Sequence, residues 1–230
     1  MLSNVYLHYV LDDWFEREVK PRLKGQAHLI RYADDFVIGF ADEADARRVM
    51  EVLPKRFGRY GLAIHPDKTR LVPFRQPPAP RRGGGDRGVG GRGPGPGPGS
   101  FDFLGFTHIW ALSQKGNWVV RQRTAASRLR RAVRSIAQWC RSNRHLPIAE
   151  QQRVLSQKVR GHFAYYGITG NSTALSRFRT AAENCWRKWL SRRNRERGST
   201  WDAFARLLRR YPLPAVRVVH SVYLTREGMT

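Results

Sequence analysis

The stretch from Pro77 to Ser100, PPAPRRGGGDRGVGGRGPGPGPGS, limits what this chain can fold into more than any other feature. Glycine and proline dominate it, and large apolar side chains are almost missing. Such a composition cannot bury enough apolar surface to offset the entropy lost when the backbone becomes ordered. The sequence therefore predicts a flexible loop over 77–100 that separates two folded parts.

Positive charge is spread very unevenly over the chain. Residues 1–80 carry 13 lysines and arginines against 11 acidic residues, whereas residues 121–230 carry 24 against 5. A nearly neutral first part joined to a strongly basic second part indicates a polyanionic partner, and nucleic acid is the class that fits best. A membrane partner is not expected, because no apolar run reaches the roughly 20 residues of a spanning helix. Cys140 and Cys185 lack metal-site spacing, so two reduced thiols in a cytoplasmic protein are expected.

The first part alternates between strand and helix patterns. LIRYADDFVIGF (29–40) predicts a tight β-hairpin with two aspartates at its apex, since aspartate tolerates the backbone angles of such turns. An amphipathic helix follows, capped by Asp42 and kinked or shortened at Pro54. Its predicted buried stripe consists of Ala46, Val49, Leu53 and Phe57. LAIHPDKTRLVPF (62–74) predicts a strand, a turn and a strand, so the first part is expected to be an α+β layer with an antiparallel sheet.

After the loop, the sequence predicts a hairpin and then helices. FDFLGFTHIW and NWVVRQR are the two halves of that hairpin, joined across SQKG. Thr124 is expected to cap the first helix, Pro147 to open the second, and Asn171 or Ser172 to cap the third. The predicted domains are a sheet-and-helix domain, the loop, the hairpin and a helical domain, over 1–76, 77–100, 101–123 and 124–230.

Asp34 and Asp35 are the candidate chemical groups of the first part. Adjacent carboxylates repel each other unless cations are bound, and Mg²⁺ prefers hard oxygen ligands while it keeps waters and substrate phosphates. Two such ions would activate a 3′-hydroxyl and stabilise a leaving pyrophosphate. A surface turn with two solvated acids is the alternative, and the dipeptide alone does not decide between them.

The motifs around these aspartates follow a recognisable order. YADD between two apolar strands resembles the metal-binding signature of reverse transcriptases, and HPDKT (65–69) and FDFLGF (101–106) follow as they do in those enzymes. KVRGHFAYYGITGN, WRKWLSRRNR and YPLPAVRVVH then resemble the maturase region of group II intron-encoded reverse transcriptases. By this resemblance, the chain is identified as the carboxy-terminal half of such an enzyme. The resemblance implies a partial palm followed by an α-helical thumb and maturase region.

The resemblance also implies roles for individual residues. Asp34 and Asp35 would be catalytic ligands of Mg²⁺, and Lys68 would lie near the incoming deoxynucleoside triphosphate. A surface lysine after a turn is the alternative for Lys68. The hairpin that grips the primer on its RNA template would contain Phe103, Leu104, Gly105 and Phe106. Core packing is the alternative for the two phenylalanines.

In that family, the basic helices contact the template–primer duplex and the intron RNA. The residues predicted to contact RNA as a group are Arg128, Arg131, Arg134, Arg160, Arg187, Lys188, Arg192, Arg193 and Arg195. A solvated helix face is the alternative for each of them. His162, Tyr165 and Tyr166 either stack on bases or pack in the core. Whether the arginines of the loop also touch RNA stays open.

Two parts of a family polymerase have no expected counterpart before residue 32. They are a third metal-binding aspartate on an earlier strand and the fingers, and a separately encoded amino-terminal half would have to supply them. Asp12 and Asp13 do not replace that aspartate, because they lie in a predicted helix. Three functions therefore stay open: RNA-directed DNA synthesis with intron RNA binding for splicing and retrohoming, RNA binding by a truncated remnant without polymerase activity, and a decayed fragment without a role.

Overall fold

The computed structural model describes residues 2–78, 99–193 and 200–221 and shows an α+β fold. Its elements, in chain order, are α1 (Leu2–Leu7), β1 (Ala27–Tyr32), β2 (Asp35–Phe40), α2 (Glu43–Arg59), β3 (Phe101–Phe103), β4 (Phe106–Leu112), β5 (Trp118–Thr124), α3 (Ala126–Ser142), α4 (Ile148–Tyr166), α5 (Ser172–Ser191) and α6 (Trp201–Arg210). None of the helices among these described residues is long and apolar enough to cross a membrane.

The chain divides into two compact units. The first, called the hairpin unit here, comprises residues 1–104 with 114–118, and the second, the helical unit, comprises residues 105–113 with 119–230. Residues 79–98, most of the predicted loop, lie outside the described part of the chain. The four-part division inferred from the sequence therefore stays a prediction.

The core of the hairpin unit is formed by the amino-terminal helix and α2. Beyond α1 the chain stays helical to Arg22, with π-helical hydrogen bonding over His8–Asp13 and Phe15–Val19. Apolar residues recur about every four positions on one face, which is the pattern of a helix that buries one side. The residues of both helices that form this apolar cluster are Val10, Leu11, Trp14, Phe15, Val19, Val49, Leu53 and Phe57.

Helix α2 begins as the sequence predicts. The Asp42 side chain accepts a hydrogen bond from the backbone N–H of Asp45 at 2.9 Å, and the whole predicted stripe is buried. Pro54 does not shorten the helix, which continues to Arg59. Leu53 and Phe57, buried on either side of the proline, favour continuation because ending the helix there would expose apolar surface.

The predicted hairpin around the two aspartates is confirmed. Strands β1 and β2 pair antiparallel, with Leu29 opposite Ile38 and Tyr32 opposite Asp35. This register leaves Ala33 and Asp34 as the two residues of the turn. The side chains of Leu29 and Ile38 pack against the core of the hairpin unit, so burial of one face fixes the register and therefore the position of the turn.

The two strands predicted over 62–74 are not formed. The segment has a turn in which the N–H groups of Lys68 and Thr69 donate to the carbonyl of His65 at 3.2 and 3.1 Å, but no strand is present over 62–74. Pro66 and Pro73 lack the N–H donors that a strand ladder requires. Alternating apolar residues were therefore not sufficient to specify a strand.

A three-stranded antiparallel sheet, ordered β3-β4-β5, follows in the chain. Strands β4 and β5 confirm the hairpin predicted across SQKG, and Gly116 in that connection has φ +78°. Strand β3 is an addition that the sequence analysis did not foresee as a separate strand. A two-residue turn, Leu104–Gly105, joins it to β4.

The helical unit is organised around one apolar core. Its fully buried residues include Leu155 and Val159 of α4, Leu175 and Phe178 of α5, and Phe204 of α6. The predicted inner face of α3 is confirmed, with Ile136 and Cys140 buried and Leu129 and Val133 packed against them. Most of the arginines of these helices lie on the faces that point away from this core.

Two predicted helix caps in this unit differ from expectation. Thr124 is the last residue of β5, and the residue that precedes α3 is Ala125, whose N–H donates to the carbonyl of Gly105 at 2.9 Å. Asn171 does precede α5, but its side chain makes no cap. Instead its amide donates to Thr124 Oγ1 at 2.8 Å and its Oδ1 accepts from the Thr124 N–H at 2.9 Å. This buried pair joins β5 to the start of α5, and it uses both side chains that the sequence assigned to caps.

Candidate metal-binding turn and RNA-binding surface

The turn of the first hairpin presents two carboxylates to solvent. Asp34 lies in the turn and Asp35 begins β2, and both are exposed. Ala33, rather than an aspartate, adopts the left-handed conformation, with φ +54°. An L-residue pays about 1–2 kcal/mol for this conformation, so other contacts must hold the turn in place.

Arg31 of β1 supplies such a contact. Its Nη1 donates to the carbonyl of Ala33 at 2.8 Å, while its Nε and Nη2 donate to Asp12 Oδ1 and Oδ2 at 2.7 and 2.6 Å. The hydrogen bonds from Arg31 lower the pKa of Asp12. Asp12 is thus a carboxylate held against Arg31, and Asp13 pairs with Arg17 at 2.7 Å.

The carboxylates of Asp34 and Asp35 suit a divalent cation in chemical type. Both offer hard oxygen ligands on an exposed turn, and Mg²⁺ accepts one or two carboxylates when water and phosphate complete its octahedron. Among the described residues, no group of three or more acidic, histidine or cysteine side chains lies close enough to hold a metal ion. By the chemistry of their oxygens, the two aspartates would supply part of a ligand set, with substrate, water or another protein segment as the remaining ligands.

Lys68 is exposed in the turn over residues 65–69. Across the described ranges, its side chain makes no hydrogen bond or salt bridge, including with Asp34 or Asp35. A position of Lys68 near the incoming deoxynucleoside triphosphate therefore stays a prediction.

The four residues predicted to grip a primer surround a tight turn. Phe103 ends β3, Leu104 and Gly105 form the turn with φ +50° and +79°, and Phe106 begins β4. Positive φ at both central residues is typical of the two-residue turns that suit the twist of a hairpin. The ring of Phe106 stacks on Tyr165 at a centroid distance of 5.9 Å and packs edge-on against Tyr166 at 5.2 Å. Core-like packing is thus present for Phe106, whereas primer contact remains a prediction.

Replacement of Gly105 by alanine should lower the free energy of unfolding of the protein. Alanine at φ +79° costs about 1 kcal/mol, and its Cβ would also lie 3.0 Å from the hydroxyl of Tyr166. Gly116→Ala is a matched control, because φ is +78° and nothing lies within 4 Å of the added Cβ. Urea unfolding followed by circular dichroism should show a larger loss for Gly105→Ala. Equal losses would mean that Tyr166 does not restrict this turn.

The residues predicted to contact RNA lie mostly on exposed helix faces. Arg128, Arg131 and Arg134 recur every three residues on α3, and Arg160 lies on α4. Arg187, on α5, is half-buried, and its guanidinium lies 3.7 Å from the ring centroid of Trp201. The exposed remainder of the set comprises Lys188, Arg192 and Arg193. Arg195 lies outside the described residues.

Three cations surround Trp189 of α5. The charged groups of Arg141, Lys188 and Arg192 lie 5.9, 6.0 and 4.9 Å from the centroid of its ring. In the part of the chain that the structure describes, none of the three pairs with a carboxylate. Like charges held around one aromatic ring repel each other, so a bound polyanion would stabilise this arrangement. We call Arg141, Lys188, Trp189 and Arg192 the Trp189 cluster.

His162 belongs to the core rather than to a base-stacking surface. Its ring is buried and stacks on Phe178 at a centroid distance of 3.8 Å. Its Nε2 has no hydrogen-bond partner among the described residues, and burial lowers the pKa of His162 to about 4. The neighbouring Tyr166 is half-buried, whereas Tyr165 is exposed.

This burial predicts a loss of stability in acid. Since the folded-state pKa lies below the ordinary value of 6.5, the unfolded chain binds the proton more readily, and stability falls as pH drops from about 6.5 towards 4. His162→Phe keeps an aromatic ring and should remove about 2 kcal/mol of the loss between pH 7.5 and 4.5. His145→Phe, at an exposed position, is the control. Unfolding curves at both pH values give the free energy of unfolding. If His162→Phe lost as much stability in acid as the unsubstituted chain, buried His162 would not be the cause of the loss.

Sequence patterns did not reveal two of the contacts described above. Arg31 and Asp12 are 19 residues apart, and Arg141 reaches Trp189 from a different helix. The Arg192 contact had a local signal, because a residue three positions after a tryptophan at the end of a helix lies beside it.

Two family models match this chain, one in its first part and one in its basic second part. The family model for reverse transcriptase (RNA-dependent DNA polymerase) matches residues 1–108. The model for the group II intron maturase-specific domain matches residues 127–209. No curated protein matches the chain. The two family models match in the order that the YADD turn and the basic helices predict, and the chain belongs to the group II intron reverse transcriptase/maturase family.

Proposed function

We propose that this chain binds group II intron RNA through its helical unit and contributes Asp34 and Asp35 to RNA-directed DNA synthesis. The first activity would serve splicing and both would serve retrohoming. The observation that supports this proposal most strongly is the Trp189 cluster, which lies within the segment matched by the maturase-specific model.

RNA binding follows from the charge and chemistry of this cluster. Phosphates would neutralise Arg141, Lys188 and Arg192, and release of counterions from the RNA would supply much of the binding free energy. Trp189 adds an aromatic ring that fixes where the cations lie. Contacts of this kind position a protein on RNA without reading its sequence. Recognition of one particular intron would therefore depend on the shape of the RNA.

The catalytic part of the proposal depends on the YADD turn. Asp34 and Asp35 would hold Mg²⁺, which supplies activation of the primer 3′-hydroxyl and charge stabilisation of the leaving pyrophosphate. The protein's own contribution is to hold both carboxylates on a hairpin whose register is fixed by core packing. Lys68 would neutralise charge on the deoxynucleoside triphosphate, and Phe103–Phe106 would hold the primer.

A second candidate function is RNA binding without polymerase activity. The observation that favours it is that both aspartates that precede the turn in the chain are paired: Asp12 with Arg31 and Asp13 with Arg17. Neither is available as the third carboxylate of a two-metal site. Polymerase activity would then require an acid from another segment, and a separately encoded amino-terminal half is one proposed source.

Primer extension separates these two candidates. The purified chain is given an RNA template, an annealed DNA primer, deoxynucleoside triphosphates and Mg²⁺, with Asp34→Ala as the control. Extension that Asp34→Ala abolishes would support the catalytic part of the proposal. A folded chain that binds intron RNA but does not extend the primer would support the second candidate. Failure to bind the RNA would contradict both.

A further inference from the structure

Arg31 contacts the backbone of the YADD turn directly. Its Nη1 donates to the carbonyl of Ala33, the residue before Asp34, at 2.8 Å. Ala33 has φ +54°, a conformation that L-residues rarely adopt. A hydrogen bond to this carbonyl restrains the turn at its least favourable residue. The direction in which the chain presents Asp34 and Asp35 therefore depends on Arg31.

Asp12 holds the rest of the guanidinium. Arg31 Nε and Nη2 donate to its two carboxylate oxygens at 2.7 and 2.6 Å, which is the paired geometry that arginine makes with a carboxylate. The pair is well shielded, since the Arg31 side chain is 15% exposed and that of Asp12 is 26% exposed. Asp12 lies on the amino-terminal helix, whose buried face packs into the core of the hairpin unit. The turn is thereby connected to the helix that supplies much of the buried core of that unit.

The charge balance of this pair also favours cation binding. A guanidinium three residues before Asp34 and without a partner would compete with a divalent cation for the neighbouring aspartates. Asp12 binds that guanidinium instead. A lysine at position 31 could not reproduce the arrangement, because its single ammonium group cannot span the Ala33 carbonyl and both oxygens of Asp12 with fixed geometry.

We propose that Arg31 and Asp12 are positioning residues: together they fix the left-handed Ala33 so that the carboxylates of Asp34 and Asp35 are held ready for a divalent cation. This inference rests on the proposed function in one respect: that Asp34 and Asp35 bind the cation. Neither Arg31 nor Asp12 is assigned a contact with substrate or metal.

Binding of Mn²⁺ to the full chain, measured by electron paramagnetic resonance of the free ion, tests the proposal without requiring polymerase activity. Arg31→Lys and Asp12→Asn should each bind Mn²⁺ about 3- to 10-fold more weakly, the equivalent of one lost hydrogen bond. Asp13→Asn is the matched control. It removes a carboxylate from the same helix, but its partner Arg17 is 79% exposed and makes no contact with the turn. Its Mn²⁺ affinity should equal that of the unsubstituted chain.

A rescue variant distinguishes positioning from a general loss of structure. Glycine adopts positive φ without strain, so Ala33→Gly in the Arg31→Lys background should recover Mn²⁺ affinity to within about twofold of the unsubstituted chain. Circular dichroism of each variant shows whether it is folded. An affinity that Arg31→Lys leaves unchanged overturns the proposal and leaves the proposed function intact. Mn²⁺ binding that stays unchanged when Asp34 or Asp35 is replaced would contradict the metal assignment itself, and the proposal with it.

Discussion

The affinity of this protein for structured intron RNA should fall about 10³-fold when the salt concentration rises from 50 to 200 mM, if about six phosphates are neutralised. The physical reason is counterion release: each phosphate neutralised by lysine or arginine frees a bound cation, and added salt opposes that release. The helical unit carries the necessary charge, since residues 121–230 contain 24 lysines and arginines against 5 acidic residues. Filter binding or fluorescence anisotropy over a salt series gives the slope directly.

A titration with an uncharged solute tests whether this salt effect is specific to ions. A titration at constant salt with a neutral osmolyte should leave the affinity nearly unchanged, because only ions compete for the phosphates. An affinity that stays within about threefold over the same salt range would contradict the electrostatic account. The excess of positive charge would then be a property of the surface unrelated to RNA.

Trp186→Ala should lower the free energy of unfolding of the helical unit by about 3–5 kcal/mol. The indole is fully buried and packs edge-on against Phe204 at a centroid distance of 5.9 Å. Its Nε1 also donates to Gln151 Oε1 at 2.9 Å, and the Gln151 amide donates to the carbonyl of Leu146 at 2.7 Å. The substitution removes a large apolar contact and leaves a buried amide oxygen without its donor. Urea unfolding followed by far-ultraviolet circular dichroism measures the loss.

Other tryptophan variants separate the two contributions. Trp186→Phe retains most of the apolar contact and should cost about 1–3 kcal/mol, chiefly for the unsatisfied Gln151 oxygen. Trp201→Ala removes a ring that is 59% exposed, and its cost should stay below about 1 kcal/mol. A Trp186→Ala variant as stable as Trp201→Ala would mean that the α4–α5–α6 core is not organised around this indole.

Local signals in the sequence predicted the fold best where a residue and its partner are close in the chain. The Asp42 cap and the buried stripe of α2 are of this kind, because both depend on contacts three or four residues apart. The YADD hairpin was equally accessible, since its apolar strands and short turn specify a register. The same local rules failed at 62–74, where an alternating pattern had no strand to pair with.

Contacts between distant residues were not predictable from one sequence. Thr124 and Asn171 both have side chains suited to helix caps, yet they bind each other across 47 positions, in a buried pair that no local pattern indicates. The left-handed residue of the turn is Ala33 rather than an aspartate, and this too depends on a distant contact. Arg31, anchored by Asp12 at a distance of 19 residues, stabilises the carbonyl of that residue. The candidate metal ligands were thus predictable, but the residues that support them were not.

Equilibrium binding of intron RNA by a variant with a neutralised Trp189 cluster tests the central claim most directly. The variant Arg141→Gln, Lys188→Gln, Arg192→Gln removes three cations that lack a carboxylate partner among the described residues. The matched control, Arg17→Gln, Lys20→Gln, Arg47→Gln, removes three cations that pair with Asp13, Glu16 and Glu43. Both variants lower the net charge by the same amount, so a difference between them reports position rather than total charge.

RNA binding by the cluster variant should be about tenfold weaker or more at moderate salt, with the salt slope reduced by about three. The control variant should bind within about twofold of the unsubstituted chain, because its cations are already neutralised by neighbouring carboxylates. Equal losses in the two variants would show that total charge, and not the Trp189 cluster, determines binding. No loss in the cluster variant would contradict the claim that this surface of the helical unit holds the RNA.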